Sequence, residues 1–121
     1  MSRKEELKAA YKQNWHKLRT MGVYQIKNRA NGKVFLEASL NLEGTIDRDR
    51  MWLTMGGHQN QKLQQEWDTF GAQTFTIEIL ETLTPTDDPR DYALEAKILL
   101  EIWLETLSPY GEKGYLPPPR R

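Results

Sequence analysis

Residues 21–39, MGVYQIKNRANGKVFLEAS, decide the fold of this chain. The segment GVYQIKN alternates as a β-strand does, with Tyr24 on one face and Val23 on the other. The pair Asn31-Gly32 favours a reversal of the chain, because both residue types tolerate positive φ. The segment KVFLEAS then returns as a second strand. We therefore expect two antiparallel strands joined by a short turn.

Hydrophobic periodicity predicts three helices and one more strand after this pair. Residues 41–56 are a predicted helix that Gly56-Gly57 ends, and residues 61–70 are a second predicted helix that Asn60 can cap and Gly71 ends. The segment FTIEIL, residues 75–80, alternates as a third strand. The last helix is predicted to start at Asp88-Pro89, a favourable N-cap and first-turn pair. The predicted fold class is α+β, with a small three-stranded antiparallel sheet flanked by helices.

An extra amphipathic helix is predicted at the N-terminus. Ser2 and Glu5 have the spacing of a capping box. The apolar residues that follow recur on one face of a helix, at Leu7, Tyr11, Trp15 and Leu18. The chain therefore divides into an N-terminal helix packed on the domain (1–20), the domain itself (21–116) and a proline-rich tail (117–121).

The composition excludes several classes of protein. The 121 residues are 38% hydrophobic and 28% charged and include no cysteine, so disulfides and thiol chemistry are excluded. No apolar run approaches the roughly 18 residues of a membrane helix, and no secretory signal is visible. We expect a cytoplasmic protein without a membrane partner. Residues 1–36 carry a net charge of +7 and residues 37–112 carry −10. The basic front end favours phosphate contacts, although solvated helix faces have the same pattern.

An ordered series of short motifs resembles the GIY-YIG nuclease family. GVY at 22–24 resembles the GIY motif, and FLE at 35–37 lies where YIG belongs. GGHQNQKLQQEWDTFGAQTF at 56–75 resembles the phage and homing-endonuclease version of the family. PYGEKGY at 109–115 resembles the closing motif. The resemblance spans residues 21–116 and implies the family's fold, in which one divalent metal assists phosphodiester cleavage.

The resemblance also implies which strand residues would carry the chemistry. The first tyrosine, which activates the attacking water in the family, is kept as Tyr24. The second tyrosine, which positions the phosphate, is replaced by Phe35, which has no hydroxyl. The glycine of YIG is replaced by Glu37, a bulky anion beside the position of the phosphate.

The family positions on the helices are substituted as well. Thr45 stands where the family has a phosphate-stabilising arginine, and Asp49 stands at the histidine one turn later. Leu100 stands at the metal-binding glutamate of the last helix. Losing one well-aimed donor costs roughly 100- to 1000-fold in rate. We therefore expect a catalytically inactive pseudo-nuclease without a cofactor, in which Mg²⁺ or Mn²⁺ would bind only if the site were rearranged.

Six residues are candidates for contacting nucleic acid: Lys33, Arg48, Arg50, His58, Asn60 and Lys62. Structural roles compete with this interpretation. Residues 58–60 could cap the second helix, and the alternating run 47–50 could be a self-paired helix surface. Tyr24 could be a core residue with its hydroxyl in water. Finally, Glu37, Asp49 and Glu101 could form a relocated metal site.

The sequence is compatible with three functions. The favoured one is an inactive module that binds DNA or RNA weakly or acts in regulation. The second is a protein-interaction domain without a nucleic-acid role. The third is a divalent-metal-dependent endonuclease with a rearranged active site.

Overall fold

A computed structural model of the protein describes residues 20–86 and 91–119. The strands and longer helices within these ranges are β1 (Met21–Asn28), β2 (Val34–Ser39), α1 (Leu42–Met55), α2 (Gln61–Phe70), β3 (Phe75–Leu83) and α3 (Tyr92–Leu107). The predicted N-terminal helix and the predicted Asp88-Pro89 cap lie outside the described residues, apart from Thr20. The α+β class is as predicted.

The three strands form one antiparallel sheet in the order β2-β1-β3. The predicted pairing of the first two strands is confirmed, and its register places Tyr24 opposite Glu37. The turn between these strands uses Gly32 at φ +77°, where a Cβ would be strained. The Gly32 N–H donates to the carbonyl of Asn28 at 2.7 Å. A bulge between Val23 and Tyr24 shifts the register of β1 against β3.

The first two helices begin and end where the sequence predicts. The Asn41 side chain accepts from the Gly44 N–H at the start of α1, and the Asn60 side chain accepts from the Leu63 N–H at the start of α2. Gly56 ends α1 in a left-handed conformation. These caps satisfy backbone groups that a helix end leaves unpaired.

One predicted boundary is wrong, and another falls outside the described residues. The last helix, α3, begins at Tyr92, where the Asp91 side chain caps it by accepting from the Leu94 N–H; the predicted start at Asp88-Pro89 lies outside the described residues. The third strand runs to Leu83 rather than stopping at Leu80, because its last residues pair with the first residues of β1. Asp91 offers the same capping chemistry as Asp88, so propensity alone could not choose between them.

Helices cover both faces of the sheet. One face packs against α1 and α2 and carries the main core, which comprises Tyr24, Ile26, Phe35, Leu42, Leu53, Leu63, Phe75 and Tyr115. The opposite face includes Val23 and Leu36, and α3 packs there through Ala96 and Leu99. No helix among the described residues is both long and apolar enough to cross a membrane.

Candidate functional site

The candidate site lies where α1 crosses the β1–β2 pair. Tyr24 on β1 lies directly opposite Glu37 on β2, so both side chains leave the sheet on the same face. The Tyr24 hydroxyl donates a hydrogen bond to Glu37 Oε2 at 2.7 Å. It is also hydrogen-bonded to the carboxylate of Asp49, which α1 directs into the core. A phenol has only one proton to donate, so two carboxylates compete for one donor.

The environment of Tyr24 disfavours its phenolate. Burial raises the pKa of Tyr24 far above its ordinary value of 10.0, and the hydrogen bonds to Asp49 and Glu37 raise the pKa further. The side chain is fully buried, so the interpretation of a core tyrosine with its hydroxyl in water is wrong. The hydroxyl is instead held inside the protein as a donor to anions.

Asp49 is bonded on both carboxylate oxygens. Its second oxygen lies 3.2 Å from Nε2 of His58. The Nδ1 atom of His58 accepts from the Asn60 N–H at 3.0 Å, so the ring proton lies on Nε2, which donates to Asp49. The rings of Phe35 and Trp52 meet the imidazole edge-on, at centroid distances of 5.4 and 6.2 Å. His58 therefore positions Asp49 rather than facing solvent.

Arg48 brings positive charge to these two carboxylates. Its guanidinium lies 3.6 Å from Glu37 and 3.9 Å from Asp49. The same group stacks on Trp52, with Cζ 4.6 Å from the ring centroid. Asp49 is only 1% exposed, whereas Arg48 is 43% exposed. The run 47–50 is therefore self-paired through Arg48 and Asp49, but it is not wholly a helix surface, because Asp49 is a core residue.

These side chains surround an open cleft of about 230 Å³. Aromatic rings form one part of its wall, and acidic and basic groups form the rest. The cleft is lined by Phe35, Glu37, Arg48, Asp49, Trp52, His58, Gln59 and Asn60.

Two of the positions that the resemblance marks as catalytic, Thr45 and Leu100, are not among the residues that line the cleft. The Thr45 hydroxyl is hydrogen-bonded to the Ser39 hydroxyl at 2.7 Å, which joins α1 to the end of β2. Leu100 lines a different groove between β2 and α3, which Glu37 also borders. The structure therefore brings together Tyr24, Phe35, Glu37 and Asp49, and it leaves Thr45 and Leu100 aside.

The nucleic-acid candidates are scattered. Lys33 is ion-paired with Glu66 at 3.2 Å. Arg50 is exposed and lines a second groove between α1, α2 and β3. Lys62 is exposed on α2. The Asn60 side chain caps α2 and also donates to a backbone carbonyl, so its polar atoms are used within the protein. Among the six candidates, Arg48 is the partly exposed cation that lines the cleft.

A polar cluster around Glu66 was not predicted from the sequence. The Glu66 carboxylate accepts hydrogen bonds from Asn28 at 3.0 Å, Asn31 at 2.6 Å, Tyr115 at 2.8 Å and Lys33 at 3.2 Å. It thus ties α2 to the β1–β2 turn and to the C-terminal segment. The sequence shows only an asparagine at the end of a predicted strand, Asn28, and its full burial is known from the structure alone. The other members of the cluster lie 3 to 87 residues from Asn28 along the sequence. The sequence alone therefore does not predict that they meet.

The Glu66 cluster shifts two pKa values in opposite directions. Partial burial raises the pKa of Glu66, but the hydrogen bonds from Asn31, Tyr115 and Lys33 outweigh it, and the net effect is a lowered pKa. Burial raises the pKa of Tyr115, and its hydrogen bond to Glu66 raises it further. The cluster is most stable with an ionised carboxylate and a protonated phenol.

Two solved structures are similar to this chain. The catalytic domain of the homing endonuclease I-TevI shares 28% sequence identity at a TM-score of 0.64, covering 78% of this chain and 95% of that domain. A mutant of that catalytic domain shares 27% identity at a TM-score of 0.61, covering 80% and 92% respectively. The fold is therefore GIY-YIG-like. No protein-family model matches the chain, and a search of curated proteins finds no match.

Proposed function

We propose that this protein is a non-hydrolysing module on a nuclease-like fold, and that it binds nucleic acid weakly rather than cutting it. The observation that carries this proposal is the Tyr24 hydroxyl bonded to two carboxylates, Glu37 and Asp49. In the family that the chain resembles, this tyrosine takes a proton from water. A phenol whose pKa is raised, and whose proton is already donated to anions, is poorly suited to that task.

The charges around Tyr24 also oppose hydrolysis. Negative charge builds up on the phosphate in the transition state, so cations and donors aimed at it lower the barrier. Here Glu37 and Asp49 bring two carboxylates, and Arg48 brings one guanidinium that is already paired with them. At an effective dielectric constant near 20, a carboxylate about 4 Å from a phosphate charge raises the energy by about 4 kcal/mol.

The donor set does not fit the single divalent metal that the resemblance implies. Leu100, at the position of the metal-binding glutamate, has no oxygen to offer. The carboxylates of Glu37 and Asp49 are engaged by Tyr24 and Arg48. Within residues 20–86 and 91–119, no group of three or more acidic, histidine or cysteine side chains could hold a metal ion. This also leaves the relocated site with Glu101 without support.

Two features support nucleic-acid binding. The chain has the fold of an endonuclease catalytic domain over most of its length. Cations also remain on the helices that border the cleft, at Arg48 and Arg50 on α1 and at Lys62 on α2. Such side chains give phosphate contacts that do not depend on base sequence. Because Glu37 and Asp49 oppose them, we expect weak binding that falls steeply with salt.

A pair of assays tests this function. Supercoiled plasmid is incubated with the protein and Mg²⁺ or Mn²⁺, and binding of a labelled duplex is followed by fluorescence anisotropy over a salt series. We expect no nicking and salt-sensitive binding. Replacing Arg50 and Lys62 by alanine should weaken binding, whereas Lys97→Ala, an exposed charge on α3, should not. Absence of binding at low salt would instead favour a protein-interaction domain.

One observation favours a second candidate, a nuclease with a rearranged site. Arg48 lies 3.6 Å from Glu37, so a guanidinium is present near Tyr24 even though Thr45 is not an arginine. The plasmid assay separates the two candidates. Metal-dependent nicking that disappears in Tyr24→Phe would establish the rearranged nuclease and reject the inactive module.

A further inference from the structure

A second groove lies on the other flank of α1 from the cleft. It runs between α1, α2 and β3 and has a volume of about 320 Å³. Arg48 lines the cleft, whereas Arg50 lines this groove. Residues two apart on a helix point about 200° away from each other, so α1 separates the two recesses. The second groove is lined by Arg50, Thr54, Trp67, Ala72, Phe75 and Ile77.

Aromatic side chains form the wall of the second groove. The rings of Trp67 and Phe75 pack against each other, with centroids 5.1 Å apart and planes tilted by 36°. Phe75 belongs to the main core, and Trp67 and Ile77 pack against that core, so the fold itself holds the wall in place. The volume is at the small end of the roughly 300–1,000 Å³ of ligand pockets. The groove therefore has room for one ring system.

The second groove offers hydrogen-bond donors that the protein does not use. Of the three arginines within residues 20–86 and 91–119, Arg29 donates to backbone carbonyls and Arg48 is ion-paired. Arg50 is exposed and makes no hydrogen bond or ion pair with any described residue, including Asp47 one turn earlier. The Trp67 indole N–H also has no acceptor in the described part of the chain. An anionic or carbonyl oxygen of a ligand would satisfy these donors.

The charge of the second groove differs from that of the other recesses. Its lining includes no acidic residue, whereas Glu37 and Asp49 line the cleft and Glu37 borders the groove between β2 and α3. A phosphate would thus meet the Arg50 guanidinium at the rim without a carboxylate in the wall. Charge complementarity favours an anion here and opposes one in the cleft.

We propose that the second groove binds one unpaired nucleotide of a single-stranded nucleic acid, with the base against Trp67 and the adjoining phosphate on Arg50. Proteins that bind single strands combine aromatic side chains that stack on bases with cations that follow the phosphates. Inside a duplex the base faces are covered by their neighbours, so only an unpaired base reaches this wall. The inference rests on the proposed function and names the form of nucleic acid that it takes.

Fluorescence anisotropy with the full chain at low salt tests this site, using labelled strands of about ten bases. We expect single-stranded oligothymidine to bind more tightly than a duplex of the same length. Ala72→Glu places an anion in the groove without removing a core side chain, and it should weaken single-strand binding about tenfold or more. Thr69→Glu, the matched control, adds the same charge on the outward side of α2 and should have little effect. Circular dichroism checks that both variants are folded.

The salt dependence supplies a readout that a merely structural role would not move. Arg50→Gln removes one phosphate contact, so the slope of log affinity against log salt should become shallower by about 0.7 for a single strand. An oligouridine of the same length shows whether the strand is DNA or RNA. Weakening of either strand by Ala72→Glu supports the site.

Photochemical cross-linking of the natural chain locates the bound base without any substitution. Oligothymidine that carries one bromouracil is irradiated in the complex, and mass spectrometry identifies the side chain joined to it, which we expect to be Trp67. A cross-link to Phe35 or Trp52 in the cleft would overturn this inference and leave the proposed function in place. Binding that Ala72→Glu leaves unchanged would do the same. If no strand binds at low salt, both the inference and the proposed function are rejected.

Discussion

The Tyr24 hydroxyl donates to Glu37, its direct partner across the β1–β2 pair, at 2.7 Å. Asp49 approaches the same hydroxyl from α1. The resemblance to the nuclease family implies that these two acidic residues stand at its glycine and histidine positions. The three side chains form one hydrogen-bonded network, in which the Tyr24 hydroxyl has a structural role.

The first prediction concerns this structural role. Tyr24→Phe should lower the free energy of unfolding by about 1–3 kcal/mol, because it removes the buried hydroxyl that Glu37 and Asp49 share as a hydrogen-bond donor. Urea unfolding of the variant and of the natural chain measures the difference. Tyr110→Phe, for which the described residues supply no hydroxyl hydrogen bond, is the control and should change stability little. Equal stability of Tyr24→Phe and the natural chain would contradict the structural role.

The second prediction concerns alkaline pH. The pKa values of Tyr24 and Tyr115 are raised in the folded state, so the folded protein keeps protons that the unfolded chain loses above pH about 10. The stabilisation from these two groups is complete below that pH, and it declines as the pH rises beyond it. Urea midpoints from pH 8 to 11 should therefore fall, and they should fall less steeply in Tyr115→Phe. A midpoint that stays constant to pH 11 would contradict the buried hydrogen bonds.

The third prediction concerns acid. The pKa of Glu66 is lowered in the folded state, so its stabilisation is present above the ordinary glutamate pKa and is lost as the pH falls through the lowered value. Glu66→Gln should remove about 1–3 kcal/mol at neutral pH, since it replaces a charged acceptor of four hydrogen bonds. The variant should also show a weaker loss of stability between pH 5 and 3. Glu112→Gln, which is exposed, is the control, and an identical effect of both changes would argue against the cluster.

The fold could be predicted from the sequence because its signals are local. The Asn31-Gly32 turn, the asparagine caps and the alternating strands each fix their element within a few residues. The order of the predicted elements, together with the short motifs, indicated the family resemblance. The start of α3 was not predicted, since two aspartates three residues apart offer the same capping group and the structure has Asp91 as the N-cap.

The site was less predictable because it depends on contacts between distant residues. The family comparison identified Tyr24, Glu37 and Asp49, but the interpretation of the run 47–50 as surface missed that Asp49 turns inward. Whether Arg48 meets Glu37 depends on how α1 is rotated over the sheet. The apolar stripe of α1 is short, so the sequence does not predict the rotation of this helix over the sheet closely.

The last prediction tests whether the residues at the family's catalytic positions account for the proposed lack of hydrolysis. A variant that restores four of the five substituted family positions carries Glu37→Gly, Thr45→Arg, Asp49→His and Leu100→Glu. It removes two carboxylates from the cleft and supplies a histidine there, and it adds an arginine one turn earlier on α1 and a glutamate in the groove that Glu37 also borders, both beside the cleft. We expect this variant to gain metal-dependent nicking of plasmid DNA, because donors and cations would again face the developing charge on the phosphate.

The specificity of that gain can be checked in the same background. Adding Tyr24→Phe should abolish the nicking, because the restored cleft would again require the phenol to activate water. A variant with Thr45→Arg and Leu100→Glu alone should remain inactive, since Glu37 and Asp49 would still hold the Tyr24 hydroxyl. If this double variant cuts DNA as well as the fourfold one, the two carboxylates are not what silences Tyr24. The missing arginine and glutamate would then account for the loss by themselves.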